Sequence, residues 1–165
     1  MIDKKNSSSE ISILVNSCDK YADVWPVFFE LFWKFWLDCQ YPVYLGTNNG
    51  DYADPQMRMI WVGPDLNWGD TALVMLATIN MPNALRFLDD FLIHASISIP
   101  KVAGLFEEMK ALNAEHLRLR PVPSLDEPVA GRPHLGYYRS GSAYRLALEI
   151  AFWKRDVLMS LIQPW

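Results

Sequence analysis

The chain has 165 residues, 51% of them hydrophobic and 21% charged, with a net charge of −4. That is a globular composition, long enough to bury roughly two-thirds of its unfolded surface around one core, and no apolar run approaches the roughly 18 residues of a membrane span. The acidic balance removes any general attraction to nucleic acid, and two cysteines with no secretory leader before the first strand point to reduced thiols, Cys18 and Cys39, in a cytoplasmic protein.

Met1 to Glu10 is polar and serine-rich and has little to bury, so 1–10 reads as a flexible tail ahead of one α/β domain spanning 11–165. Ile11 to Asn16 is a compact β-branched run opening into the polar Ser17-Cys18-Asp19, the pattern of a central strand and its loop. Val24 to Trp36 is a predicted helix with Pro26 in its first turn and Phe28, Leu31, Phe32, Phe35 and Trp36 on one face. Trp25, Phe29 and Trp33 make the apolar stripe wider than one sheet contact needs. Pro42 to Gly46 is a second strand, which completes a βαβ unit and so predicts a parallel sheet. A loop rich in Asn, Gly, Asp and Pro follows over 47–56, then a third strand, Met57 to Val62. Asn67 caps a helix from Trp68 to about Asn80, with Asp70 as its acidic partner and Leu73, Leu76 and Ala77 as its buried side. Ala84 to Leu88 is a strand that stops at two adjacent carboxylates, Asp89 and Asp90. Pro100 opens a helix whose Val102, Leu105, Phe106, Met109 and Leu112 share a face. His116 to Arg120 and Leu135 to Arg139 are weaker strand candidates around a Pro/Gly-rich loop, and Tyr144 to Ile162 reads as a closing helix from the spacing of Leu148, Ala151, Phe152, Leu158 and Ile162. The expected architecture is a mainly parallel central sheet with helices on both faces.

In such a sheet the strand C-termini share one edge, where ligands bind. Ser17, Asp19, Asn48, Trp68, Asp70, Asp89 and Asp90 are expected to line that rim. An aromatic ring suits a base, side-chain oxygens suit ribose hydroxyls, and paired carboxylates suit a hard divalent cation such as Mn or Mg that bridges phosphates. Each residue also has a plainer structural role open to it: turn stabilisation for Asp19 and the acidic pair, helix capping for Asp70, packing for Trp68. No G-x-x-x-x-G-K-[ST] loop and no G-x-G-x-x-G turn is present, so neither a Walker-type NTPase nor a Rossmann dehydrogenase is supported. His94, His116 and His134 lack the spacing of a zinc site.

Taken together, Ile13 to Tyr21 before an aromatic helix, Trp68-Gly69-Asp70, Leu88-Asp89-Asp90-Phe91, and Tyr144 to Leu148 with Ala151 to Lys154 resemble bacterial capsular-polysaccharide-type glycosyltransferases with a GT-A nucleotide-sugar-binding fold. The resemblance runs in order from about Ile11 to Trp165. It implies a mixed, mainly parallel sheet that binds a nucleoside diphosphate sugar and delivers the sugar to a saccharide or lipid-linked acceptor. Asp90, assisted by Asp89, would face the metal, standing in for the D-x-D element, and Ser17 and Asp19 would lie near the nucleoside. Relatives continue beyond the position of Trp165, so the expectation is a form lacking the C-terminal part. A non-catalytic interaction module of the same fold is the alternative, with Trp25, Phe29, Trp33, Trp153 and Trp165 as surplus aromatics for a homo-oligomer.

Overall fold

The computed structural model describes residues 10–64, 67–120 and 122–162; the tail residues 1–9 and Trp165 lie outside them. Strand β1 (Ile11–Asn16) is buried along its whole length. It pairs in parallel with β2 (Val43–Thr47) on one side and with β4 (Asn83–Leu88) on the other, and β2 pairs in parallel with β3 (Met57–Trp61). A central parallel strand meets helices on both faces, which is why β1 is nearly continuous apolar sequence rather than alternating. Glu10 extends this pairing, its carbonyl accepting from Asn83 N at 3.2 Å, so it belongs with the sheet and not with the tail.

Alternation along the strands sorts the core into two halves. Ile13, Val15, Leu85 and Phe87 face α1 (Trp25–Phe35) and α3 (Ile99–Ala111), whereas Leu14, Tyr44 and Ala84 face α2 (Trp68–Thr78) and α4 (Arg155–Ile162). Helices therefore cover both faces, as expected. The face that α1 buries carries Trp25, Phe28, Phe29 and Phe32, with Trp36 just beyond, while Leu31 and Phe35 are only half-buried. Phe28 and Phe32 stand edge-on to Phe87 of β4 at 6.4 and 6.0 Å. Burying each phenylalanine stabilises the fold by about 2 kcal/mol, so α1 is held by its packing rather than by a side-chain cap, which it lacks. The stripe that looked too wide is thus consumed within the chain. Phe29 stacks on Tyr52, and the half-buried Trp33 donates its indole N–H to Asp54 at 2.6 Å. Trp25, Phe29 and Trp153 are all buried and offer no surface to a second copy.

Helix α2 begins at the expected cap, Asn67 Oδ1 accepting from Asp70 N at 2.9 Å. It buries Ala72, Met75 and Leu76, with Leu73 half-buried and Ala77 exposed, a face turned from the expected one. Gly46 sets this seat: a Cβ there would lie 2.3 Å from the Met75 side chain, so only glycine lets Met75 reach the sheet. On α3, Val102, Phe106 and Met109 are buried as expected, but Leu112 is exposed.

The C-terminal third departs most from expectation. The strand β5 (His116–Arg118) joins the central sheet, and the Pro/Gly-rich stretch holds a separate hairpin, β6 (Glu127–Val129) with β7 (Arg132–Tyr137). Gly131, at φ 72°, supplies the left-handed residue at its turn. The expected helix from Tyr144 to Ile162 does not form. Instead a turn-rich segment over 144–150 leads into β8 (Ala151–Lys154), and only Arg155–Ile162 is helical. Ala151-Phe152-Trp153 satisfies helical and strand patterns alike, and the open edge of β4 decides between them: β8 inserts antiparallel between β4 and β5. The six strands run in the order β3-β2-β1-β4-β8-β5, all parallel except β8.

Candidate functional site

β1 and β4 lie in register, Asn16 opposite Leu88, so the residues that follow them emerge together at one edge of the sheet. Ser17 and Asp89 meet there. The Ser17 hydroxyl donates to Asp89 Oδ2 and accepts from the indole Nε1 of Trp25 at 2.6 Å. Because Trp25 is the first residue of α1, this chain of bonds ties the start of the helix to the ends of both strands. Asp89 is buried, and the loss of water raises its carboxyl above the ordinary range; the Ser17 bond opposes that shift and the charge of Asp90 adds to it. Asp90 is exposed beside it.

These residues line a cleft of about 450 Å³ whose facing wall is Trp68, 44% exposed, at the start of α2. Asn16 lies on the lining too, its amide donating to Met75 Sδ at 3.0 Å and its Oδ1 accepting from Arg86 Nε at 2.7 Å. Among the expected rim residues, Ser17, Trp68, Asp89 and Asp90 are therefore brought together.

Asp19, Asn48 and Asp70 do not line that cleft and are engaged in bonds of their own. Asp19 accepts from Thr47 Oγ1 at 2.5 Å and from the backbone amides of Asn48, Asn49 and Gly50 at 2.9–3.1 Å. The Thr47 hydroxyl above all, then the amides, hold its carboxyl below the ordinary range. Asn48 completes the clasp by accepting from Asp19 N at 3.1 Å and donating to Gly63 O at 3.2 Å. The pair thus fixes the loops after β1, β2 and β3 to one another. Asp70 accepts from the Asn67 amide at 2.5 Å and closes the helix cap.

Arg86 is the residue that sequence reading passed over, because it sits inside an apolar run and looked like part of a strand. It is 1% exposed beneath Trp68, its Cζ 5.3 Å from the ring centroid. Besides Asn16 it donates to Leu148 O at 3.0 Å, its Nη2 has no partner among the described residues, and burial lowers its pKa to about 10. An arginine in the middle of a central strand was the available signal, since arginine is almost never fully buried without a partner.

Among the described residues no group of three His, Cys, Asp or Glu side chains could hold a metal ion by itself. Two adjacent carboxylates, one open and one buried, nevertheless fit a hard cation that takes its other oxygen ligands from phosphate and water. No helix among the described residues is long and apolar enough to cross a membrane. Compared with known proteins, the chain matches no protein-family model and no curated sequence.

Proposed function

We propose that the cleft binds a nucleoside diphosphate sugar and that the chain is the donor-binding domain of a metal-dependent glycosyltransferase of polysaccharide biosynthesis, with a GT-A fold. The observation that carries this reading is the exposed Asp90 carboxylate standing at a strand C-terminal edge beside the Trp25–Ser17–Asp89 chain of hydrogen bonds and facing Trp68. The single antiparallel strand in an otherwise parallel sheet supports the finer fold assignment. In this reading Trp68 offers its exposed face to the base. The hydrogen-bonded Ser17 and Asn16 keep the floor polar and rigid, and Asp90, with Asp89 behind it, directs negative charge at the position of the diphosphate. Those two carboxylates would hold an Mg or Mn ion, which supplies charge neutralisation to the departing diphosphate. Asp19 and Asn48 act one step back, fixing the loops around the cleft rather than touching the nucleoside.

Calorimetry with uridine and guanosine diphosphate tests this. Binding is expected with manganese or magnesium present, lost in Asp90→Ala, with unfolding midpoints unchanged because Asp90 is exposed. A folded protein that binds no nucleoside diphosphate in the presence of either metal overturns it.

A further inference from the structure

A second cavity, about 650 Å³, lies along β5 at the end of the sheet, between that strand, the β6–β7 hairpin and α4. Its size is that of a small-molecule site. Its charge is the reverse of the cleft's: Lys101, Arg118 and Arg145 line it against one carboxylate, Glu115. His134 lies 3.7 Å from Glu108, but no ion pair among the described residues involves Lys101, Arg118 or Arg145.

Arg118 organises this region. Nη1 donates to Val122 O at 2.8 Å and Tyr138 Oη at 3.2 Å, and Nη2 donates to the carbonyls of Tyr144 and Arg145. Every one of these acceptors is neutral, and no ion pair among the described residues compensates the guanidinium charge. Its Nε is buried without a partner among the described residues, and the same holds for Trp153 Nε1 and His116 Nε2, on two rings stacked 3.9 Å apart. Trp153 is 1% exposed. Buried hydrogen-bonding atoms left open cost roughly 1–3 kcal/mol each, and three of them sit on side chains lining one cavity. Trp153 Nε1 and Arg118 Nε can only donate. Burial, with Arg118 adding to it, pushes His116 down to about 4, so at neutral pH it brings a hydrogen bond and no charge.

We propose that this cavity is a second ligand site, for a small anion whose carboxylate or phosphate oxygens accept hydrogen bonds from Arg118 and Trp153. Arg118 and Trp153 both belong to the lining, the lining is cationic, and no ion pair among the described residues engages Arg118. The site stands apart from the nucleotide reading and does not depend on it.

The test follows the indole N–H resonances of the 165-residue chain, with that of Trp153 assigned from Trp153→Phe, during titration at constant ionic strength. Inorganic phosphate, glucose 1-phosphate and glucuronate are the probes, and glucose is the neutral control. At least one anion is expected to shift the Trp153 resonance saturably while glucose leaves it in place; phosphate against glucuronate separates the two anion chemistries. Arg145→Ala, an exposed change that the fold tolerates, is expected to weaken binding at least about threefold, and Arg118→Lys, which keeps the charge and loses the planar fork, about tenfold. Should no anion move the Trp153 resonance, or glucose move it as far as glucuronate, or Arg145→Ala and Arg118→Lys both bind as the parent does, the proposal is wrong. Nucleoside diphosphate binding at the cleft, read through Asp90→Ala, is measured separately, so either site can fail alone.

Discussion

Trp25 and Trp153 are equally buried, each 1% exposed; Trp25 bonds to Ser17 on the lining of the acidic cleft, and Trp153 lines the basic cavity. The indole N–H of Trp25 donates to Ser17 and so joins the chain that ends on Asp89. That of Trp153 has no acceptor among the described residues, its ring stacked on the His116 imidazole. Among the described residues, the acidic cleft closes Ser17, Asp89 and Asn16 into hydrogen bonds with neighbouring side chains and leaves the Asp90 carboxylate exposed. The basic cavity leaves its donors open. A site whose geometry must be held before a ligand arrives is built the first way; a site completed by its ligand is built the second way.

The largest expected effect comes from the residue beneath the cleft. Arg86→Ala strips donors from Asn16 Oδ1 and Leu148 O and leaves a void under Trp68, and is expected to lower the unfolding free energy by about 3 kcal/mol. Urea denaturation measures it; a loss well under about 1 kcal/mol would mean that the cost of burying the guanidinium cancels its bonds. Next, the two tryptophans should part company. Trp25→Phe breaks the bond to Ser17 and is expected to cost about 2 kcal/mol, whereas Trp153→Phe loses no hydrogen bond and is expected to cost less than about 1 kcal/mol. Equal losses in the same urea series would erase the contrast between the openings.

The smallest effect belongs to Asp89, and its sign depends on pH. With its folded-state pKa raised by burial, Asp89 favours folding in its neutral form. That contribution is whole below the ordinary carboxylate value and is lost as pH rises through the raised one. Asp89→Asn keeps an oxygen for Ser17 and removes the charge. It is therefore expected to match or exceed the parent at pH 7 by up to about 1 kcal/mol, with the gap closing as the medium is acidified below the ordinary carboxylate value. Thermal unfolding across that window checks it, and a gap that widens in acid would refute the assignment. In the glycosyltransferase reading the same change weakens metal-dependent nucleotide binding, so stability and binding move in opposite directions.

Much of the cleft was legible because its parts are ends of elements with strong local signals. Ile11–Asn16 and the strand before Asp89 announce themselves as buried strands, and parallel pairing brings the ends together. Asn67 and Asp70 announce a helix start, which places Trp68. Asp19 and Asn48 were legible as loop residues beyond strand ends but not as partners of each other, since their bonds join positions 29 apart in sequence. Arg86 was hidden for the same reason: its acceptors lie 70 and 62 residues away, on β1 and in the segment leading to β8.

The amino-acid sequence by itself determined the order of strands and helices from Ile11 to Ala111, the helix cap at Asn67, and the arrival of two carboxylates at the end of a buried strand, because hydrophobic period and capping chemistry depend on near neighbours. Tertiary structure alone decided that Ala151–Lys154 is a strand, that the 144–150 segment is clipped to Arg86 and Arg118, and which indole N–H finds an acceptor. An apolar run as short as Ala151-Phe152-Trp153 costs nearly the same to place in a helix or a strand. The unpaired edge of β4, which exists only once the parallel sheet has formed, supplies the backbone hydrogen bonds that settle it.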